Sequence, residues 1–110
     1  MKNMVWVEIN SLGQAVRIFR TDKARWAFPG FAILIRYSTA VSEIRHQLFL
    51  RSNGMCELCT SAVTEFGGHM HEQKHRGKGG EISLDNSVFI CYPCHRSAHK
   101  DRNPHFTKKT

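Results

Sequence analysis

Two short cysteine pairs dominate what this chain can become. Cys56-Glu57-Leu58-Cys59 and Cys91-Tyr92-Pro93-Cys94 are both C-x2-C, and 31 residues separate them. A thiolate pair at that spacing chelates one ion from a tight turn, and two pairs complete a tetrahedron of four sulfurs, which suits zinc. A closed four-sulfur site leaves no open position for a substrate, so the expected zinc is structural. The opening residues, Met-Lys-Asn-Met-Val-Trp, lack the apolar stretch and small-residue cleavage site of a secretory signal. Metal is therefore favoured over disulfides, with free thiols or a redox dithiol as the competing reading. The surrounding segment, 53–110, is rich in Gly and polar residues and holds few large apolar side chains after position 66. Such a segment needs a staple to fold, and the cysteines offer one.

The remaining chain sets broader bounds. Its 110 residues make one ordinary domain, and 41% hydrophobic content argues against disorder. The longest apolar run, Phe31 to Ile35, is strand-sized, far short of the roughly 20 residues that cross a bilayer. No membrane partner is expected, and the reading is a cytoplasmic protein. Charge is more telling. Lys and Arg total 16 against 9 Asp and Glu, a net +7, with a sequence pI near 9.6. Residues 1–40 carry 6 bases and 2 acids, and residues 41–110 carry 10 and 7. The excess is spread along the chain, so it is not a basic tail. A polyanion partner follows, and nucleic acid is the leading one.

Two regions differ in texture. Residues 1–40 hold no Cys and no His and read as β. Val5–Ile9 and Ala15–Phe19 are β-branched and aromatic runs, and the turn residues Asn10 to Gln14 between them predict a hairpin. Phe31–Tyr37, after the break at Pro29-Gly30, is a third strand candidate. Residues 41–52 read as a helix on the spacing of Val41, Ile44 and Leu48, with Thr39 as N-cap and Asn53-Gly54 as the stop. The division expected is a β-rich extension over 1–40 and a metal-binding domain over 41–110.

Six of the seven histidines lie between positions 69 and 105. His69 to Glu72 reads as a strand whose alternation puts His69 and His71 on one face and Met70 and Glu72 on the other. Lys74 to Gly80 is a basic, glycine-rich loop able to approach a phosphate backbone. Ser87 to Ile90 reads as a second strand. The Cys91/Cys94 pair then opens a helix with Pro93 in its first turn. On that helix His95 and His99, four apart, share a face.

Taken as a set, Cys56/Cys59, His71-Glu72, Gly79-Gly80, Asn86, Val88-Phe89-Ile90 and Cys91-x-x-Cys94-His95 resemble the zinc-stabilised HNH nuclease domain of small phage and bacterial proteins. The resemblance covers about 45 residues and leaves 1–40 outside. It implies an α+β fold: a ββα-metal, treble-clef-like core on the structural four-Cys zinc site. It also implies a metal-dependent endonuclease that hydrolyses DNA phosphodiester bonds, by nicking or double-strand cleavage, as monomer or homodimer. A second divalent ion, Mg2+, Mn2+ or Ni2+, would be held by His71, His95 and His99. Asn86 would hold the loop and orient the base.

The chain departs from the family pattern on the first strand, where Asp-His or His-His is usual. One register makes His71 a metal ligand and Glu72 the base. The other, Met70-His71, makes His71 the base with no ligand before it. A free glutamate, with a reference pKa of about 4.3, is a weaker base at neutral pH than a histidine. That departure keeps an alternative open: a non-cleaving, zinc-stabilised nucleic-acid-binding module with a degenerate site. Lys74, Arg76, Lys78, Arg96, Lys100 and Arg102 are candidate phosphate contacts. His69 is expected as a neighbour of the site, and His46 and His75 as surface residues. For Trp6, Trp26 and Phe31, packing of the N-terminal strands is favoured over stacking on bases.

Overall fold

The structure is a computed structural model. It describes residues 3–75 and 78–101, with the side chains of 99–101 excluded. In chain order the elements are β1 (Met4–Ile9), β2 (Ala15–Ile18), α1 (Asp22–Ala27), β3 (Ala32–Arg36), α2 (Tyr37–Arg51), β4 (His69–Glu72), β5 (Ile82–Ser83), β6 (Ser87–Ile90) and α3 (Tyr92–Asp101). It is a small mixed α/β fold whose four cysteines lie close together. Among the described residues no helix is long and apolar enough to cross a membrane.

The N-terminal strands form as their sequence implies. Asn10 closes the first hairpin by accepting hydrogen bonds at Oδ1 from the backbone N–H groups of Leu12 and Gln14, at 3.0 and 2.9 Å. This side-chain turn is why an Asn stands there. The antiparallel sheet runs β3-β1-β2-β5. Its fourth strand comes from the C-terminal half, a two-residue pairing that no local pattern announces. Helix α1 also lies outside the sequence expectation. Thr21 caps it, accepting at Oγ1 from the Ala24 N–H.

Helix α2 differs from the expected span at its start. It begins at Tyr37, so Thr39 lies inside it and is not its cap. The reason is the chain before it. β3 runs straight into the helix, and the Tyr37 N–H is taken by the Asn3 carbonyl at 2.6 Å, so the first turn is satisfied without a capping side chain. The far end is as expected: Ser52 caps it, and Asn53 and Gly54 leave in the left-handed region at φ 55° and 72°.

Ala40, Ile44 and Leu48 of α2 are fully buried against Val7, Ala15, Ile18 and Ile82 of the sheet. Burying side chains such as Ile44 and Leu48 contributes about 1.5–3 kcal/mol each. Helix α2 also carries the hairpin of β4 and β6, paired antiparallel with Met70 opposite Phe89 and His71 opposite Val88. Phe89 packs edge-on against Phe49 at 6.2 Å. Two arginines of α2 fasten this hairpin. Arg45 donates to the carbonyls of Gly68 and Glu65, just before β4. Arg51 donates to the carbonyls of Leu84 and Ser87 and clasps Glu57. Helix α2 thus packs against both the sheet and the hairpin, and the three share one buried core. Met70 and Phe89 face it, and alternation turns His69 and His71 the opposite way, towards α3.

Candidate metal and histidine site

The cysteine pairs come from two different parts of the fold. Cys56 and Cys59 sit in a turned segment after α2, where the backbone N–H groups of Leu58 and Cys59 donate to the Cys56 sulfur at 3.4 Å each. Cys91 precedes α3 and Cys94 lies in its first turn, with Pro93 as the helix's second residue. Cys56 Sγ and Cys94 Sγ are 3.8 Å apart, Cys59 Sγ and Cys91 Sγ 3.6 Å, and all four sulfurs fall within 4.8 Å of one another. Among the described residues this is the one group of three or more potential ligands. A cluster of this donor type and size could hold a structural ion such as zinc.

Its electrostatics agree. The Cys59 thiol is drawn down to about 6, first by the hydrogen bond from Ser61, whose Oγ lies 3.1 Å from the sulfur. For Cys56 burial is the largest single influence and works upward, but the backbone N–H groups of Cys59, Cys91 and Leu58 outweigh it, and the thiol is lowered. Cys91 and Cys94 are raised, chiefly by burial and also by the neighbouring thiols of Cys56 and Cys59. Four sulfurs this close cannot all carry negative charge on their own, so two hold protons for the others. A divalent cation removes that conflict. Binding zinc near pH 7 should therefore release the protons of Cys91 and Cys94 at the least, and zinc affinity should weaken as pH falls and protons compete for the sulfurs. A colorimetric zinc chelator, followed across pH 5–8, reads this directly.

Glu57, inside the first cysteine pair, was not foreseen as important. Its N–H donates to the Phe89 carbonyl at 2.9 Å, its Oε1 accepts from the Phe89 N–H at 2.8 Å, and Arg51 clamps the carboxylate. The metal-binding turn is thereby stitched to β6. Nothing in the local sequence marks this, because the partners are 32 and 6 residues away.

His95 directly follows Cys94, so the cysteine cluster positions it. Its ring meets two histidines of β4. His71, buried, approaches edge-on with ring centres 5.8 Å apart at 76°. His69 stacks nearly parallel at 4.5 Å and 13°, with Tyr92 5.8 Å beyond it. Glu72 follows on β4, partly buried, opposite Ser87.

Asn86 is the strongest organiser of the loop. Its Oδ1 accepts from the Lys74 N–H at 2.8 Å, and its Nδ2 donates to the carbonyls of Lys74 and Glu81, both at 2.9 Å. Its own carbonyl takes the Gln73 N–H. The loop folds back so tightly that a Cβ on Gly80 would land on the Lys74 carbonyl. Glycine at position 80 is thus required by close approach, together with the Asn86 clamp.

Lys74 and Lys78 are exposed on this loop. Arg96 is exposed on α3, its guanidinium 6.0 Å from the Tyr92 ring centre. His75 is exposed and caps the loop through its carbonyl, which accepts from Lys78 and Gly80. His46 is exposed and has Glu65 as partner at 3.0 Å. Helix α3 runs through position 99, but the side chains of His99 and Lys100 lie outside the described residues, as do Arg76 and Arg102 entirely. The expected core role of the aromatic residues is not what Trp26 and Phe31 adopt: they are 68% and 65% exposed.

A scan against protein-family models matched none, and searches of curated proteins and of solved structures returned no match.

Proposed function

We propose that the chain is a metal-dependent endonuclease of the HNH type, built on β4, β6 and α3 as a ββα-metal site over a structural zinc. One observation carries the reading: His71 of β4 and His95 of α3 meet at 5.8 Å while Asn86 clamps the loop between the two strands by three side-chain hydrogen bonds. A module that only binds nucleic acid needs the four cysteines and basic residues. It has no need for a buried histidine facing a second one across a hairpin and helix.

In this reading His71 and His95, with His99, hold a divalent ion distinct from the zinc. Two imidazole nitrogens at about 2.1 Å from one ion are compatible with rings at this separation. When bound, the ion polarises the scissile phosphate and stabilises the leaving 3′-oxygen. Glu72, the last residue of β4, where the strand's alternation ends, takes the proton from the attacking water. Asn86 keeps the strand end in place through Gln73 and Lys74. His69 holds the plane of the His95 ring by stacking. Lys74, Lys78 and Arg96 flank the site as phosphate contacts, and Arg76, Lys100 and Arg102 are proposed alongside them. DNA is the substrate this arrangement serves.

The test is conversion of supercoiled plasmid by purified protein with EDTA, magnesium, manganese or nickel. Open-circular or linear DNA is expected with one of the metals and not with EDTA, and His95→Ala should make none. Zinc-loaded protein that retards DNA on a gel but leaves it supercoiled under every metal would move the reading to the non-cleaving binding module.

A further inference from the structure

The outer face of the N-terminal sheet, turned away from α2, carries a feature the histidine site does not use. Trp6 projects from it and meets Trp26 of α1, ring centres 5.9 Å apart. The Arg25 guanidinium lies 4.6 Å from the Trp6 ring centre and 4.9 Å from that of Trp26. Beside them is an open groove of about 440 Å3 whose lining includes Trp6, Phe19, Arg20, Asp22 and Leu34. That volume falls in the range of ordinary ligand sites.

A structural arginine nearby shows what a self-contained version looks like. Arg17 lies over Phe19 at 4.3 Å, yet it is also bonded to Glu8 at 3.0 Å and Glu81 at 3.1 Å. Arg25 has no such carboxylate. Among the described residues its guanidinium makes no hydrogen bond or ion pair, and its Nε is buried without a partner. Arg20, Lys23 and Arg36 are likewise without ion pairs among the described residues, and all three are exposed. Arg36 stands opposite Met4 on the same sheet face as Trp6. A surface of exposed indole, stacked guanidinium and unpaired cations complements a partner with π-faces and negative charge.

We propose that this face binds single-stranded nucleic acid. Trp26, backed by Arg25 and Trp6, stacks on an unpaired base, Arg20, Lys23 and Arg36 hold the flanking phosphates, and Asp22 accepts from an N–H on a base edge. A duplex keeps its bases stacked on one another and offers the ring faces nothing, so the single strand is the form that fits. The face shares no residue with the site of His71 and His95, so binding here is separable from cleavage there.

The test is titration of zinc-loaded protein, with no other divalent metal added, using labelled oligo-dT and oligo-rU of about 12 nucleotides, a length within the usual site range. Anisotropy and intrinsic tryptophan quenching are read together. Binding with quenching is expected, and the better of the two oligomers identifies DNA or RNA as the source. Trp26→Ala should weaken binding about tenfold or more, Trp26→Phe should largely retain it, and His95→Ala should bind as wild type. Trp26 is mostly exposed, and circular dichroism confirms that the variants stay folded. Wild-type affinity in Trp26→Ala, equal competition by a duplex, or conversion of a dimer to a monomer by Trp26→Ala would each overturn the proposal. The last outcome would make the face a self-association surface. None of these depends on whether plasmid is cut.

Discussion

Cys94→Ser, or a strong chelator on the wild-type chain, is expected to abolish cooperative unfolding of the C-terminal half and expose the β4–β6 hairpin. The size of the effect follows from how little else holds that half. Cys56, Ile90 and Cys91 form the whole buried part of the second apolar cluster, with Leu58, Val63, Val88 and Cys94 partly buried around it. Two of its three buried members are themselves sulfur ligands. Removing the ion leaves a small apolar contact and mutually repelling sulfurs, while zinc in comparable small sites contributes about 10–16 kcal/mol to folding. The loss reaches beyond the cluster. Glu57 ties the first cysteine turn to both backbone groups of Phe89 on β6, and Phe89 is a buried member of the main core. Hydrogen exchange with and without chelator measures this residue by residue. Amides of Met70, Val88 and Phe89 should lose protection first, and those of Trp6 and Val7 in the four-stranded sheet should lose it least. Uniform protection in both states would mean that the sulfur cluster carries no stability.

The cysteine cluster and strands β4 and β6 were legible in the sequence because their signals are local. A C-x2-C turn, a β-branched run and a proline in the first turn of a helix each act over a few residues. The alternation of His69, Met70 and His71 was legible for the same reason, and it correctly separated the residue facing α2 from the two facing α3. What escaped was nonlocal. Strand β5 is two residues long and exists only because β2 offers an edge to it. Glu57, Arg45 and Arg51 read as ordinary surface charge, and they became ties between elements because the fold brought them to backbone groups far along the chain. Helix α1 was legible in principle, since Thr21-Asp22 is a capping start, but six residues between two breaks is too short a pattern to outweigh its β neighbours. Trp26 follows from that miss. Assigned to a strand it would pack inside, whereas on a one-and-a-half-turn helix it stands mostly in solvent.

If the endonuclease reading holds, His71→Ala is expected to lose at least a hundredfold in cleavage, and Glu72→Gln a comparable amount, but the two losses should differ in kind. His71 is buried and faces His95, the arrangement of a ligand, so its removal should be partly offset by raising the metal concentration. Glu72 sits on the next residue of the strand, opposite Ser87, on a segment fixed by the Asn86 hold on Gln73 and Lys74. A group that accepts a proton in the rate-limiting step typically contributes about 10²–10⁴-fold, and no excess of metal restores it. The wild-type pH profile separates the same two roles. At saturating metal, a glutamate base stays ionised well below pH 6, so cleavage should persist there. A histidine base takes up its proton near pH 6.5 and cleavage should fall steeply below that point. Saturation matters because protons also compete for His71 and His95 as ligands, which would imitate a histidine base at limiting metal. Single-turnover cleavage by wild type, His71→Ala and Glu72→Gln across pH 5–8, at two metal concentrations, therefore assigns the base. Metal rescue of Glu72→Gln together with a steep wild-type loss near pH 6.5 would exchange the two roles, leaving His71 as the base.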